Sequence, residues 1–171
     1  MKIRIAEVTD AKELFEIKID KDFQKYFPTR IIAKDLETQI RELTQVEKDM
    51  EKGRGFTFII EEGEKLVGFV EAYKVNKTDR RCAIGFGIKK SEWKKGLATK
   101  AIKQIVDIVT KMGFHTIEAT VFPGNIASEK VLNKNGFIKI GTMKDYYYAN
   151  GKYIDRILYW KVLEWLLLMG N

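Results

Sequence analysis

The stretch from Cys82 to Phe122 constrains the fold of this chain more than any other. Cys82 to Ile88 is an apolar run of strand type, and a basic turn containing Gly96 follows it. A helix then begins near Ala98 and carries Ile102, Ile105, Val106 and Val109 on one face as far as Met112 and Gly113. Thr116 to Phe122 is again strand. Strand, loop, helix, strand is a parallel crossover unit. The chain must therefore hold a parallel strand pair with a helix lying across it.

The remaining segments read as antiparallel strands and covering helices. Ile3, Ile5 and Val8 make a short first strand. Thr9 and Asp10 stand where a helix cap belongs, with Glu13 in the first turn and Leu14, Ile17 and Lys18 continuing at helical spacing. Pro28 breaks that pattern. Ile32 to Lys52 is a second helical region, whose stripe of Leu36, Ile40, Leu43, Val46 and Met50 ends at Gly53. Phe56 to Glu61 and Leu66 to Val75 join Cys82 to Ile88 in a meander. Ile126 to Asn135 is a shorter helix stopped by Gly136. Phe137 to Tyr148 and Tyr153 to Trp160 form a hairpin around Asn150 and Gly151, a pair that supplies the positive φ angles of tight turns. With 171 residues, 45% of them apolar, and no repeat or linker, 1–171 reads as a single mixed α/β domain.

The turn into the crossover helix has its own chemistry. A helix start aims several unpaired backbone N–H groups at one point, and the helix dipole adds about half a positive charge there. That combination suits a pyrophosphate. Gly96 and Ala98 let an anion approach the backbone, the Thr99 hydroxyl can donate a hydrogen bond, and Lys94 and Lys95 offset negative charge. No metal is called for. Position 90 is Lys where the dinucleotide pattern G-x-G-x-x-G would need glycine after Gly85 and Gly87, and G-x-x-x-x-G-K-[ST] occurs nowhere. Taken alone, the segment also reads as a plain glycine turn joining strand to helix.

Three segments in order lift it above that reading: W-K-K-G-L-A-T-K-A from Trp93, IEATVFPGNIASEKVLNKNGF from Ile117 to Phe137, and D-Y-Y-Y-A-N-G-K-Y-I-D-R-I-L-Y from Asp145 to Tyr159. Over nearly the whole chain the sequence resembles the GNAT acetyltransferase superfamily, most closely its branch of ribosomal-protein N-terminal acetyltransferases. The resemblance implies a mixed, mostly antiparallel sheet of about seven strands, splayed after strand four and flanked by about four helices. It implies acetyl-CoA as donor and a primary amine as acceptor, in first place the N-terminal α-amine of a protein or peptide. The pantetheine arm would lie beside Phe86, Gly87 and Ile88, pairing with strand backbone. The backbone of Trp93, Lys94, Lys95, Gly96, Leu97, Ala98 and Thr99 would hold the pyrophosphate. Asn125 and Ser128 would hydrogen-bond the pantetheine arm, with Lys134 near the phosphates; helix capping is the competing role for Asn125.

An ammonium has no lone pair, so the acceptor must lose a proton before it attacks the thioester. Glu118 matches the strand position where related N-terminal acetyltransferases place a carboxylate, with its side chain opposite those of Ile117 and Ala119. It is the expected base, and a solvent-facing strand glutamate is the alternative. Many superfamily members carry a tyrosine that protonates the leaving thiolate, but here that position is Leu132. Tyr146, Tyr147 or Tyr148 would have to substitute, or the thiolate leave unaided. A strand-four amide such as that of Ile88 would polarise the thioester carbonyl. No residue reads as an activated nucleophile, so attack is direct, in a ternary complex.

Composition narrows the rest. The net charge of +7 suits phosphates, whether of a coenzyme, RNA or a ribosome surface, and equally a solvated lysine-rich surface. Acetylation of a polyamine or aminoglycoside, or a non-catalytic basic RNA- or ribosome-binding module, are the competing functions; nucleic acid is otherwise not an expected partner. No apolar run reaches the roughly 18 residues of a membrane span, and the start lacks a secretory pattern, so a cytoplasmic protein is expected. Cys82 is a lone thiol on a strand and reads as a small buried hydrophobe. His115 reads as facing solvent at a strand entrance, and Trp160 and Trp165 as core or as the surface of a homodimer.

Overall fold

The computed structural model describes residues 1–27, 32–149 and 151–163. Seven strands form one sheet in the order β1-β2-β3-β4-β5-β7-β6. Strands β1 (Lys2–Ile5), β2 (Phe56–Glu62), β3 (Lys65–Asn76) and β4 (Arg81–Ile88) pair antiparallel in sequence order. Strand β5 (Thr116–Val121) runs parallel to β4, and the hairpin of β6 (Ile138–Ala149) and β7 (Lys152–Val162) adds to it through β7. Helices α1 (Ala11–Lys18), α2 (Lys21–Gln24) and α3 (Leu36–Glu51) precede β2, α4 (Leu97–Lys111) connects β4 to β5, and α5 (Ile126–Lys134) follows β5. The mixed α/β class and the parallel crossover are as the sequence led us to expect.

Alternation along each strand sorts side chains onto two faces. On one face Val70, Ala72, Cys82, Ile84, Ile117, Ala119 and Val121 share a core cluster with Ile102, Ile105 and Val109 of α4 and Leu132 of α5. Those four helix residues are fully buried, and burying a side chain of this size is worth about 1.5–3 kcal/mol. Burial pushes the Cys82 thiol up to about 12, in keeping with a small core hydrophobe. On the other face Ile59 and Phe69 pack with Leu14 and Ile17 of α1, Phe23 of α2 and Leu43 of α3.

Local chemistry moves several boundaries away from the periodicity. Val8 leaves the first strand and joins a short 3-10 turn, Val8–Asp10, ahead of α1. Asp20 caps the unexpected α2 by accepting the Asp22 and Phe23 N–H groups. Helix α3 starts at Leu36 and not near Ile32, because the Asp35 carboxylate accepts the Thr38 N–H and fixes the helix start there. Gly151 has φ +75°, as a tight hairpin turn requires; Pro28, Asn150 and Trp165 lie outside the described residues. Trp160 is half-buried, and His115 is exposed at the entrance to β5.

One buried polar group has no counterpart. Gln39 on α3 is 1% exposed, and its Oε1 meets no hydrogen-bond donor among the described residues. Leaving such an acceptor unmatched costs about 1–3 kcal/mol. Gln39→Leu is therefore expected to raise the Tm by about 2–4 °C in a thermal melt followed by circular dichroism, and a fall in Tm would show that the amide is satisfied by bound water.

Candidate active site

The site begins where β4 and β5 part. They pair from Arg81 with Thr116 to Ile84 with Ala119 and no further. Beyond that point β4 stays with β3, Phe86 opposite Val70 and Gly87 opposite Phe69, while β5 stays with β7, Thr120 opposite Leu158 and Val121 opposite Ile157. A cleft of about 240 Å³ opens between them, lined by Gly85, Phe86, Thr120, Asn125, Ser128 and Leu132 among others. It lies at the carboxyl ends of two parallel strands, the usual place for a ligand in such sheets.

The main chain of β4 presents an unpaired edge to this cleft. The Lys89 N–H donates to the Val67 carbonyl, and the Gly87 carbonyl points at Gly68, so both face β3. Alternation turns the groups of Phe86 and Ile88 the other way, toward the gap. The Trp93 indole N–H donates to the Ile88 carbonyl at 2.7 Å, leaving the Phe86 N–H and carbonyl and the Ile88 N–H for an extended ligand. Gly87 is required here by packing: a Cβ would come within 2.4 Å of the Phe23 ring and 2.8 Å of Phe69.

The helix start has the expected form. Gly96 takes φ +77° as the N-cap of α4 and no side chain caps the helix, so the N–H groups of Leu97, Ala98 and Thr99 lack a capping partner. Lys94, at φ +65°, also occupies the left-handed region, a backbone alternation that makes a concave nest for an anion. A Cβ on Gly96 would meet nothing within 4 Å, so the approach to these N–H groups is open. Lys95 is turned aside to Glu92 at 2.8 Å, whereas Lys94 has no carboxylate within 4.0 Å among the described residues. These features fit a pyrophosphate at Trp93 to Thr99 and a pantetheine arm along Phe86 to Ile88. Asn125 and Ser128 both line the cleft, and Asn125 also caps α5, its Oδ1 accepting the Ser128 N–H at 3.2 Å. Lys134 is exposed in the last turn of α5, outside the lining.

The acceptor side differs more from expectation. Glu118 does not line the cleft; its carboxylate accepts from Lys74 at 3.1 Å, and Lys74 also donates to the Tyr146 hydroxyl at 3.0 Å. Burial alone would make Lys74 easier to deprotonate, but the bonds to Tyr146 and Glu118 prevail and hold it charged above its ordinary value. The residue of β5 that reaches the cleft from this face is Thr120. Of the three consecutive tyrosines of β6, Tyr147 lines the cleft and Tyr146 and Tyr148 do not. Leu132, where a tyrosine acid would stand, belongs to the α4-side core and meets the cleft only at its floor.

Sequence reading missed Glu71, Tyr73, Tyr26, Phe27 and Arg156, all of which line the cleft. The Glu71 carboxylate accepts from the buried Lys18 ammonium at 2.9 Å, and Lys18 lies over the Phe69 ring at 5.2 Å. Burial pushes the Tyr73 hydroxyl up to about 12. A charged residue between Val70 and Ala72, in the middle of an apolar strand, was the available signal for Glu71. Among the described residues no group of three or more His, Cys, Asp or Glu could hold a metal ion, and no helix is long and apolar enough to cross a membrane.

With this geometry in view, the comparisons with known proteins are clear. The family model for the acetyltransferase (GNAT) domain matches residues 1–138, and the chain belongs to that family. It is an acyl-CoA N-acetyltransferase with acetyl-CoA as cosubstrate. A probable N-acetyltransferase of Bacillus subtilis strain 168, YjcK, is 32% identical over 161 residues, covering 90% of this chain and 88% of that protein. Two solved structures share the fold. A ribosomal L7/L12 α-N-protein acetyltransferase in complex with coenzyme A has a TM-score of 0.87 at 17% identity, over 95% of this chain and 94% of its own. A spermidine N-acetyltransferase from Vibrio cholerae with coenzyme A and spermine has a TM-score of 0.82 at 20% identity, over 95% of each chain.

Gly96→Glu places a carboxylate where the phosphates would lie, while its Cβ enters open space. The variant is expected to fold, losing about 1 kcal/mol to the positive φ, and to bind coenzyme A at least ~100-fold more weakly by calorimetry. Unchanged affinity would move the phosphate site elsewhere.

Proposed function

We propose that this enzyme acetylates the N-terminal α-amine of a protein or peptide in the cytoplasm. The observation that carries this reading is the make-up of the acceptor side of the cleft. Among the described residues its aromatic walls, Tyr26, Phe27, Tyr73 and Tyr147, accompany a single carboxylate, Glu71, already matched by Lys18, and a cation, Arg156. A polycation such as spermidine would need several unmatched carboxylates, and Arg156 would repel it. An uncharged peptide backbone with one terminal amine meets neither obstacle. Similarity to the putative ribosomal N-acetyltransferase YdaF of Bacillus subtilis, 26% over 95 residues, points the same way.

In this mechanism the open edge of β4 holds the pantetheine amides at Phe86 and Ile88, and the Ile88 N–H polarises the thioester carbonyl. Trp93 to Thr99 hold the pyrophosphate, with Asn125 and Ser128 along the arm. The amine attacks directly, forming the amide N–C bond as the C–S bond breaks. Its proton goes to Glu71, the carboxylate that lines the cleft; Glu118 lies two residues from Thr120 on the same strand face, about 7 Å along β5, and would be reached through water. Tyr147, the tyrosine of β6 that lines the cleft, would protonate the thiolate. A second copy of the chain has an apolar edge to meet on β6, where Ile138 and Ile140 are exposed.

Thiol release from acetyl-CoA is expected with Ser- or Ala-initiated peptides and not with spermidine or aminoglycosides; turnover of polyamines alone would overturn the acceptor assignment. Glu71→Gln is expected to lower kcat by about 100-fold or more and Glu118→Gln by less than about 10-fold. The reverse order would return the base to Glu118.

A further inference from the structure

Arg156 lacks what the part-buried Arg4 and the buried Lys18 have. The Arg4 guanidinium holds Asp10 and Glu61, each at 2.6 Å, and Lys18 holds Glu71 at 2.9 Å. Arg156 is half-buried on β7 and has no carboxylate within 4.0 Å among the described residues. Its bonds go to one neutral residue: Nε donates to Thr120 Oγ1 at 3.2 Å, and Nη2 donates to Thr120 Oγ1 at 2.8 Å and to the Thr120 carbonyl at 2.7 Å. Nη1 has no acceptor among the described residues. The guanidinium carbon lies 4.1 Å from the centre of the Phe122 ring and 5.3 Å from that of Tyr147, which fix its plane. Burial lowers its pKa, as expected of a charge drawn from water without a counter-charge.

A guanidinium that lines a cleft, with Nε and Nη2 clamped and Nη1 left without an acceptor among the described residues, is arranged to meet an anion. The anion is not the coenzyme's pyrophosphate. Thr120 and Phe122 alternate with Val121, which packs on the α4 face, so Arg156 works on the opposite face from Leu97, which belongs to that same α4 core. It shares the acceptor side with Glu71 and Tyr73. We propose that Arg156 reads a carboxylate on the acceptor, so that the enzyme selects peptides with an acidic residue at the second or third position. This rests on the peptide reading above: Glu71 receives the amine, and Arg156 the acidic side chain.

The test compares kcat/KM for peptides that differ only by Asp or Asn at the second and third positions, in the wild type and in Arg156→Gln, with free amino acids and spermidine alongside. The wild type is expected to prefer the Asp peptides by about 10-fold or more, and Arg156→Gln to bring the ratio close to one. Because each ratio is taken within one enzyme, a partly unfolded variant does not distort it. Arg156→Glu is expected to favour the Lys counterpart of the same peptides. Peptide turnover without an acidic preference overturns the role of Arg156 and leaves the peptide reading standing. Turnover of free amino acids but of no peptide, reduced in Arg156→Gln, overturns the peptide reading and assigns Arg156 to the α-carboxylate. Turnover of spermidine alone overturns both.

Discussion

The parting of β4 from β5 governs everything else in this molecule. Each strand has a partner on its outer side that it never leaves, β3 for β4 and β7 for β5, and the inner pairing lasts only from Arg81 to Ile84. A strand normally satisfies both edges. Here the inner edge of β4 gives up its partner at Phe86, and the ladder on the far side, with the rings of Phe23 and Phe69 against Gly87, keeps it straight while it does so. The cost of that unpaired backbone is what a peptide-like arm would recover on binding there, and the turn through Gly96 sets the helix start at the end of the same edge.

The segment proposed for the coenzyme stands out in the sequence and the residues proposed for the acceptor do not, and the difference is physical. The contacts proposed for the coenzyme come from main chain in one continuous stretch, 86–99, where a glycine in the left-handed region and a missing helix cap leave a local trace. The contacts proposed for the acceptor come from single side chains on β3, β5, β7 and the segment after α2, which line one cleft. Glu71, Thr120 and Arg156 are 49 and 36 positions apart, and nothing local marks them as neighbours. The same reason explains Glu118. Its orientation away from Ile117 and Ala119 follows from alternation, but which rung of β5 opens into the gap depends on where β4 stops pairing. The start of α3 differs for a smaller reason: apolar spacing continues through Ile32 and Leu36, and the Asp35 side chain, not the stripe, decides where the helix begins.

The family match ends at residue 138, the first residue of β6. Everything assigned to the coenzyme falls before it, while Tyr147 and Arg156 fall after it. The acceptor reading therefore draws on the β6–β7 hairpin, which lies beyond the matched part, and on the first helices. A hairpin at the end of a sheet is a convenient place for such variation, because β7 needs only its ladder with β5 to stay in place, and its cleft-facing side chains are free to differ.

Trp93 gives this architecture an optical consequence. Its indole N–H is bonded to the Ile88 carbonyl at the mouth of the gap, and its ring is 38% exposed beside the turn that would take the phosphates. An indole in that position changes its surroundings, and with them its emission, whenever the neighbouring edge is filled. The protein thus carries an intrinsic fluorophore at the mouth of the gap between β4 and β5, so that filling of the proposed coenzyme site would be followed in real time without a label and without turnover.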